Sequence, residues 1–426
     1  YRNKFFTGFA HVTLSGVGCP ELGSLLVMPT AGALDVDYRN YGSAYTSQTA
    51  LPGYYSNLLT KYGIRTEVTA TPRTSAERYT FPEGTGHILL NLGEGLTNES
   101  GAWVRRVSDT EVEGMKLLGT FCYNPQAVFP VYFVMRVSKR PAATGFWKKQ
   151  PPKQGVEAEW DKDAGNYKLY TQYGKDIAGD DVGVWFSYDM QPGEQVEVRM
   201  GVSFVSAENA RLNLEAEQQG RSFDDIRAAA RRTWNDDLGR IRVEGGTEAQ
   251  KKVFYTGLYH ALIHPNVLSD VNGEYPAMES AEIRTAEGNR YTVFSLWDTY
   301  RNLHQLLTLV YPERQLEMVR SMVGMYREWG WLPKWELYGR ETFTMEGDPS
   351  IPVIVDTWMK GLRDFDMDAA YEAMRKSATT PGARNRMRPD IDPYIEKGYV
   401  PLGFYARDLS GDNSVSHALE DYIADH

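Results

Sequence analysis

The spacing of apolar residues changes near residue 206, so this chain must build two different kinds of structure. Up to about residue 205, short alternating or apolar runs recur between Gly, Pro, Asn and Asp. They include 23–29 (GSLLVMP), 63–71 (GIRTEVTAT), 87–92 (HILLNL), 127–137 (AVFPVYFVMRV), 182–188 (VGVWFSY) and 195–205 (QVEVRMGVSFV). Many short strands separated by turn residues predict a sandwich of antiparallel sheets over 1–206. The polar, proline-containing stretch 148–165 reads as a loop within it. Beyond that point the period lengthens to that of helices. Stretches 207–220 and 222–238 are rich in Ala, Glu, Arg and Leu, with Ser222 placed as an N-cap. They predict a helical linker over 207–246. Thr247 caps a further helix that runs to His264-Pro265, where the proline stops it. The segment 312–329 begins with Pro312 and aligns Leu316, Val319, Met322, Val323 and Tyr326 on one face. More helices are predicted from Pro352, over 367–377, and over 413–426, where Val415, Leu419 and Tyr422 keep helical spacing. Residues 247–426 thus read as antiparallel helix pairs, too few to close a ring.

Charge and cysteine content remove some function classes. Lys+Arg 46 against Asp+Glu 56 leaves a net charge of −10, unlike a general nucleic-acid binder, which needs a basic face. Two cysteines, Cys19 and Cys122, are too few for a disulfide framework or a thiolate zinc site. No run of about 18 apolar residues marks a membrane span. The chain opens on Tyr1 without Met or a signal peptide and stops inside helix-like sequence at His426, which leads us to expect a piece of a longer protein.

Two stretches carry candidate chemistry. The first, 330–351 (GWLPKWELYGRETFTMEGDPSI), lacks a helical period and reads as a long loop. It mixes Trp331, Trp335, Tyr338 and Phe343 with Glu336, Glu341, Glu346 and Asp348. Ring planes beside carboxylates suit a sugar, whose C–H faces pack on aromatics while its hydroxyls donate to acids. The second is 291–301 (YTVFSLWDTYR), a strand-like run ending in Trp297-Asp298-Thr299 before helix-like sequence. Asp298 is either an N-cap or a carboxylate that binds substrate hydroxyls. His260 and His264 share a helix face, but no H-E-x-x-H pattern surrounds them, and core or capping roles fit better. The run 11–19 (HVTLSGVGC) lacks the context of a dinucleotide or phosphate loop and reads by default as a tight turn. There is no G-x-S-x-G elbow and no CxxC pair, so any chemistry rests on carboxylates.

The segments 9–29 (FAHVTLSGVGCPELGSLLVMP), 51–82, 254–273 (FYTGLYHALIHPNVLSDVNG), 294–314 (FSLWDTYRNLHQLLTLVYPER) and 414–422 (SVSHALEDY) together resemble glycoside hydrolase family 92. The resemblance runs in order through nearly the whole chain. It implies an N-terminal β-sandwich, linker helices and an (α/α)6 toroid, here incomplete over 247–426. It also implies a calcium-dependent, exo-acting α-mannosidase that inverts configuration, acting on mannose-containing glycans and exported to the periplasm or cell surface. Asp298 matches a family position that binds the terminal mannose. By the same analogy Trp297, Trp335, Glu336 and Glu341 line the pocket, and Ser15 and Gly16 belong to the sandwich's contribution. Residues 32–45 correspond to a variable loop near the leaving sugar. Arg340, Phe343 and Pro349 stand where the family more often has Asn, Asp and His, so linkage preference is expected to differ. Inversion needs one carboxylic acid and one carboxylate roughly 6.5–9.5 Å apart. The resemblance places that pair, and most groups around the Ca²⁺, beyond His426. Two other classes stay open on the residues: a glycoside phosphorylase of the same architecture, and a non-catalytic glycan-binding protein.

Overall fold

The computed structural model describes residues 5–14, 22–97, 99, 101–119, 127–149, 167–171, 174–345 and 347–401. The expected helix over 413–426, residues 150–165 of the expected polar loop, the turn at 15–19 and both cysteines lie outside the described residues. The chain divides into two compact units, Tyr1–Leu118 with Pro130–Asp237, and Gly119–Phe129 with Leu238–His426.

The first unit is built on antiparallel sheets, one of ten strands and one of five. In the smaller sheet Gly84–Asn91 lies between Leu26–Ala31 and Val182–Met190. Its Ile88, Leu89 and Leu90 are all buried, so both faces of this strand are covered, which explains a run without alternation. The larger sheet keeps the two-residue period: along Gln195–Ser203, Val196, Val198 and Met200 point inward. Lys148 and Lys149 belong to the strand Ala143–Lys149 and not to the loop expected there.

The two helices of the expected linker both pack on the first unit. Ala207–Gln218 lays Ala210 and Leu214 on Val134, and Phe223–Leu238 places Phe223 and Ile226 against Tyr54 and Ala76. Both therefore roof the first unit's large sheet. The approach is close: a Cβ on Gly201 would lie 2.2 Å from the Ala210 carbonyl oxygen. Ser222 caps the second helix as expected, accepting from the Asp225 amide at 3.1 Å.

The second unit holds the helices Glu248–Ala261, Leu303–Val310, Pro312–Trp329, Ser350–Met359, Met367–Thr379 and Ile391–Lys397, with the short turn Leu296–Thr299. Its core gathers Leu307, Met318, Met322, Val353, Ile354 and Ala373. The buried stripe of Pro312–Trp329 is rotated from the expected one: Gln315, Met318 and Met325 are buried, while Leu316 and Tyr326 are half-buried. The reason is polar. Gln315 is satisfied inside by His304 at 3.0 Å and Thr357 at 2.9 Å, a pairing that an apolar count cannot register. No described helix is long and apolar enough to cross a membrane.

Thr247 and Gln250 form a reciprocal capping box at the start of Glu248–Ala261. Thr247→Ala is expected to cost about 1 kcal/mol, and Thr247→Ser almost nothing. Denaturant melts of the two variants check this, and equal midpoints for Ala and Thr would remove the cap from the account.

Candidate functional site

The two stretches singled out in the sequence meet in one small sheet. Tyr291–Thr292 pairs with Asn266–Val267, and Val293 then adopts φ +65°. A β-branched residue rarely takes this left-handed conformation, which costs about 1–3 kcal/mol and turns the chain into a second short strand, Phe294–Ser295. That strand pairs with Trp335–Leu337, setting Phe294 opposite Glu336 and Ser295 opposite Trp335. Trp335–Leu337 in turn pairs with Arg340–Glu341. Residues 335–341 are therefore a β-hairpin, where the sequence suggested irregular loop. Its two turn residues, Tyr338 and Gly339, both have positive φ (50° and 82°), as the tightest hairpin turns require. Strands of three and two residues are too short to display a period, and Tyr-Gly lacks the usual Asn-Gly signal. Beyond the hairpin, Phe343 and Met345 are also left-handed, at φ 57° and 62°.

Two carboxylates hold this arrangement from inside. Glu341 is fully buried and accepts from the backbone amides of Lys334, Trp335 and Phe343, each at 2.9 Å. Glu336, also fully buried, accepts from the Thr292 hydroxyl at 2.8 Å and the Gly339 amide at 2.6 Å. The same Thr292 hydroxyl accepts from the Tyr338 amide at 2.7 Å, so one Thr–Glu pair fixes both turn residues. The second Glu336 oxygen is buried without a hydrogen-bond partner. Trp335 is buried too, and its indole N–H donates to the Ser295 hydroxyl. Trp335, Glu336 and Glu341, expected to line a sugar pocket, are thus closed inside the hairpin because their polar atoms bind its own backbone and Ser295. Asp348 is buried beside Ser377, whose hydroxyl donates to it, and Glu346 lies outside the described residues.

Burial pushes the Glu336 carboxyl from 4.5 up to about 7, partly offset by its hydrogen bonds to Gly339 and Thr292. Its contribution to stability is then fully present below pH 4.5 and lost as pH rises to about 7, because the unfolded chain ionises first. Glu336→Gln, a neutral isostere, is expected to remove this part of the pH dependence and raise stability at pH 8. Parallel melts at pH 5 and pH 8 check it; an unchanged difference between the two pH values would contradict the assignment.

Asp298 is different. It is exposed, stands in the first turn of Leu296–Thr299, and accepts a hydrogen bond from the Ser295 hydroxyl. Ser295 occupies the N-cap position, so Asp298 is not the cap that the sequence allowed. Trp297 is half-buried beneath the Arg301 guanidinium, 4.0 Å from its ring centre. Sequence reasoning missed Thr292, Ser295 and Arg301. A signal for Ser295 existed, since Ser-x-x-Asp is the spacing of a capping box. Here the two side chains bond to each other, and Ser295 makes no cap bond to the backbone.

The remaining candidates are scattered. Ser15 and Gly16 lie outside the described residues. His260 is exposed, whereas His264 is half-buried beside Asn266 at 3.1 Å. Arg340 donates to the Val128 carbonyl at 3.3 Å and stands 3.8 Å from Glu279. Phe343 packs beneath the Arg386 guanidinium, 4.6 Å from its ring centre. Among the described residues no three His, Cys, Asp or Glu side chains converge as a metal site. Both oxygens of Glu341 and one oxygen of Glu336 are turned to backbone amides and a hydroxyl.

Comparison with known proteins bears on both units. Residues 1–203 match the glycosyl hydrolase family 92 N-terminal domain, and residues 209–426 match the glycosyl hydrolase family 92 catalytic domain. A solved family 92 α-mannosidase from Bacteroides thetaiotaomicron, in complex with mannoimidazole, superposes on 100% of this chain with TM-score 0.85 and 30% identity. An inverting mannosidase from the same bacterium covers 94% with TM-score 0.80 and 26% identity. An uncharacterized secreted glycosidase of Arthroderma benhamiae is 25% identical over 98% of the chain. The chain spans about half the length of these relatives, 54%, 52% and 52% respectively.

Proposed function

The chain belongs to glycosyl hydrolase family 92, and from that premise we propose that it supplies terminal-mannose recognition to an exo-acting α-mannosidase. The observation that carries the proposal is Asp298, an exposed carboxylate on the helical turn that follows the small sheet where both candidate stretches meet. A carboxylate accepts hydrogen bonds from sugar hydroxyls, and charged acceptors make the stronger ones. Trp297, one residue earlier and half-buried under Arg301, is proposed to contribute to the same binding site on the resemblance. Trp335, Glu336 and Glu341 act from beneath, keeping the strand and turn in place. Ser15 and Gly16 stay in the proposal as the sandwich's share of the substrate site, on the resemblance alone.

Hydrolysis with inversion, release to water and export of the protein complete the reading; relatives described as an inverting mannosidase and a secreted glycosidase support it. On the family resemblance alone, the acid and base are proposed to lie beyond His426; Glu336 and Glu341, closed off from solvent, do not fill those roles in this reading. Ca²⁺, which would supply a hard Lewis acid for sugar hydroxyls, does not fit the described residues.

Titration of the full-length protein with mannoimidazole tests the reading. Saturable binding is expected, weakened in Asp298→Asn and kept in Asp364→Asn, a change to an exposed carboxylate elsewhere on the second unit. Equal affinity in Asp298→Asn and wild type would overturn the assignment of Asp298.

A further inference from the structure

We propose that Ser295 is a positioning residue that holds the Asp298 carboxylate in one orientation through a directional hydrogen-bond relay from Trp335. The proposal rests on the reading of Asp298 as a sugar-binding group. The direction follows from donor chemistry. An indole N–H only donates, so the Trp335 Nε1–H occupies one lone pair of the Ser295 hydroxyl. The hydroxyl has a single proton and cannot return it to the indole. That proton goes to Asp298 Oδ2. One carboxylate oxygen is thereby committed to the relay, and Oδ1 is left for a ligand hydroxyl.

The far end of the relay does not move. Trp335 is 2% exposed, and its backbone amide is bound by Glu341 at 2.9 Å. Ser295 lies directly opposite Trp335 in the strand register, so the two side chains meet through sheet geometry and not through a loop. At the near end, Asp298 sits on a four-residue helical turn and is exposed. Without the hydroxyl its side chain would sample several rotamers, each a cost to binding. The two strands on either side of Val293 each use the device once. Thr292 takes the Tyr338 amide and donates to buried Glu336, while Ser295 takes the Trp335 indole and donates to exposed Asp298. The first relay fixes the hairpin turn; the second aims a carboxylate outward.

Five variants of the full-length protein test this, with kcat/KM on an α-mannoside and mannoimidazole affinity as readouts. Ser295→Ala is expected to lower both by about tenfold, and Ser295→Thr, which keeps the hydroxyl, to restore both to within about twofold. Trp335→Phe removes the N–H together with the five-membered ring, and a loss of about threefold to tenfold is expected when it is assayed well below its melting midpoint, so the relay is tested even should Ser295→Ala fold poorly. The decisive variant is the double one. If Ser295 acts only through Asp298, then Ser295→Ala adds nothing in an Asp298→Ala background. An additive loss there would mean a general structural role and overturn the proposal. A large loss in Asp298→Ala with none in Ser295→Ala would sink the relay alone. Unchanged activity in Asp298→Ala would remove the site reading itself.

Discussion

Asp298→Ala in the full-length protein is expected to lower kcat/KM on an α-mannoside by about a hundredfold or more. Hydrogen bonds to a charged group contribute roughly 1.5–3 kcal/mol each, and 1.4 kcal/mol is a factor of ten. One free carboxylate oxygen receiving two sugar hydroxyls reaches a hundredfold on that scale. Asp298→Asn keeps the shape and one acceptor while removing the charge, so it should fall between Ala and wild type. Asp298 is exposed and accepts from the Ser295 hydroxyl, so truncation should leave the melting midpoint nearly unchanged. Activity and stability therefore separate at this position. Steady-state kinetics beside a thermal melt checks both halves, and near-normal kcat/KM would exclude Asp298 from the site.

Glu341→Ala should do the reverse and act first on stability. Three buried backbone amides would lose their acceptor at once. An orphaned buried donor costs roughly 1–3 kcal/mol, so a loss on the order of 3–6 kcal/mol is expected, against a total stability of about 5–15 kcal/mol for a domain. Glu341→Gln keeps a carbonyl oxygen for some of these amides but turns an NH₂ group toward the rest, and should lose about half as much. Activity would fall in both variants because the hairpin carries Trp335. A fall in stability no larger than that of Thr247→Ala would mean that Glu341 does not hold the hairpin.

Much of the architecture was legible because it rests on local rules. The switch from a two-residue to a helical period near residue 206 marks where Gln195–Ser203 gives way to Ala207–Gln218. Ser222 and Thr247 cap helices where their side chains allow it. What escaped depends on contacts across distance. The left-handed conformations of Val293 and Tyr338 run against their own preferences and persist because Thr292, Glu336 and Gly339 close around them. The same is true of the site residues. The sequence singled out two stretches that pair in one small sheet but could not say which of their carboxylates face outward. Glu336 and Glu341 read like Asp298 until the hairpin folds, after which two serve the backbone and one remains exposed. Nor could the departures at Arg340 and Phe343 be read: both side chains contact groups outside the hairpin, Val128 and Arg386.

The central claim, that this chain recognises mannose for hydrolysis with inversion, is tested most directly by following product formation in real time. The full-length protein would be given α-1,2-, α-1,3- and α-1,6-mannobiose in an NMR tube, with and without inorganic phosphate. The account expects free mannose from at least one linkage, appearing first as the β anomer and independent of phosphate. Mannose 1-phosphate formed only when phosphate is present, or no turnover of any mannobiose, would contradict it.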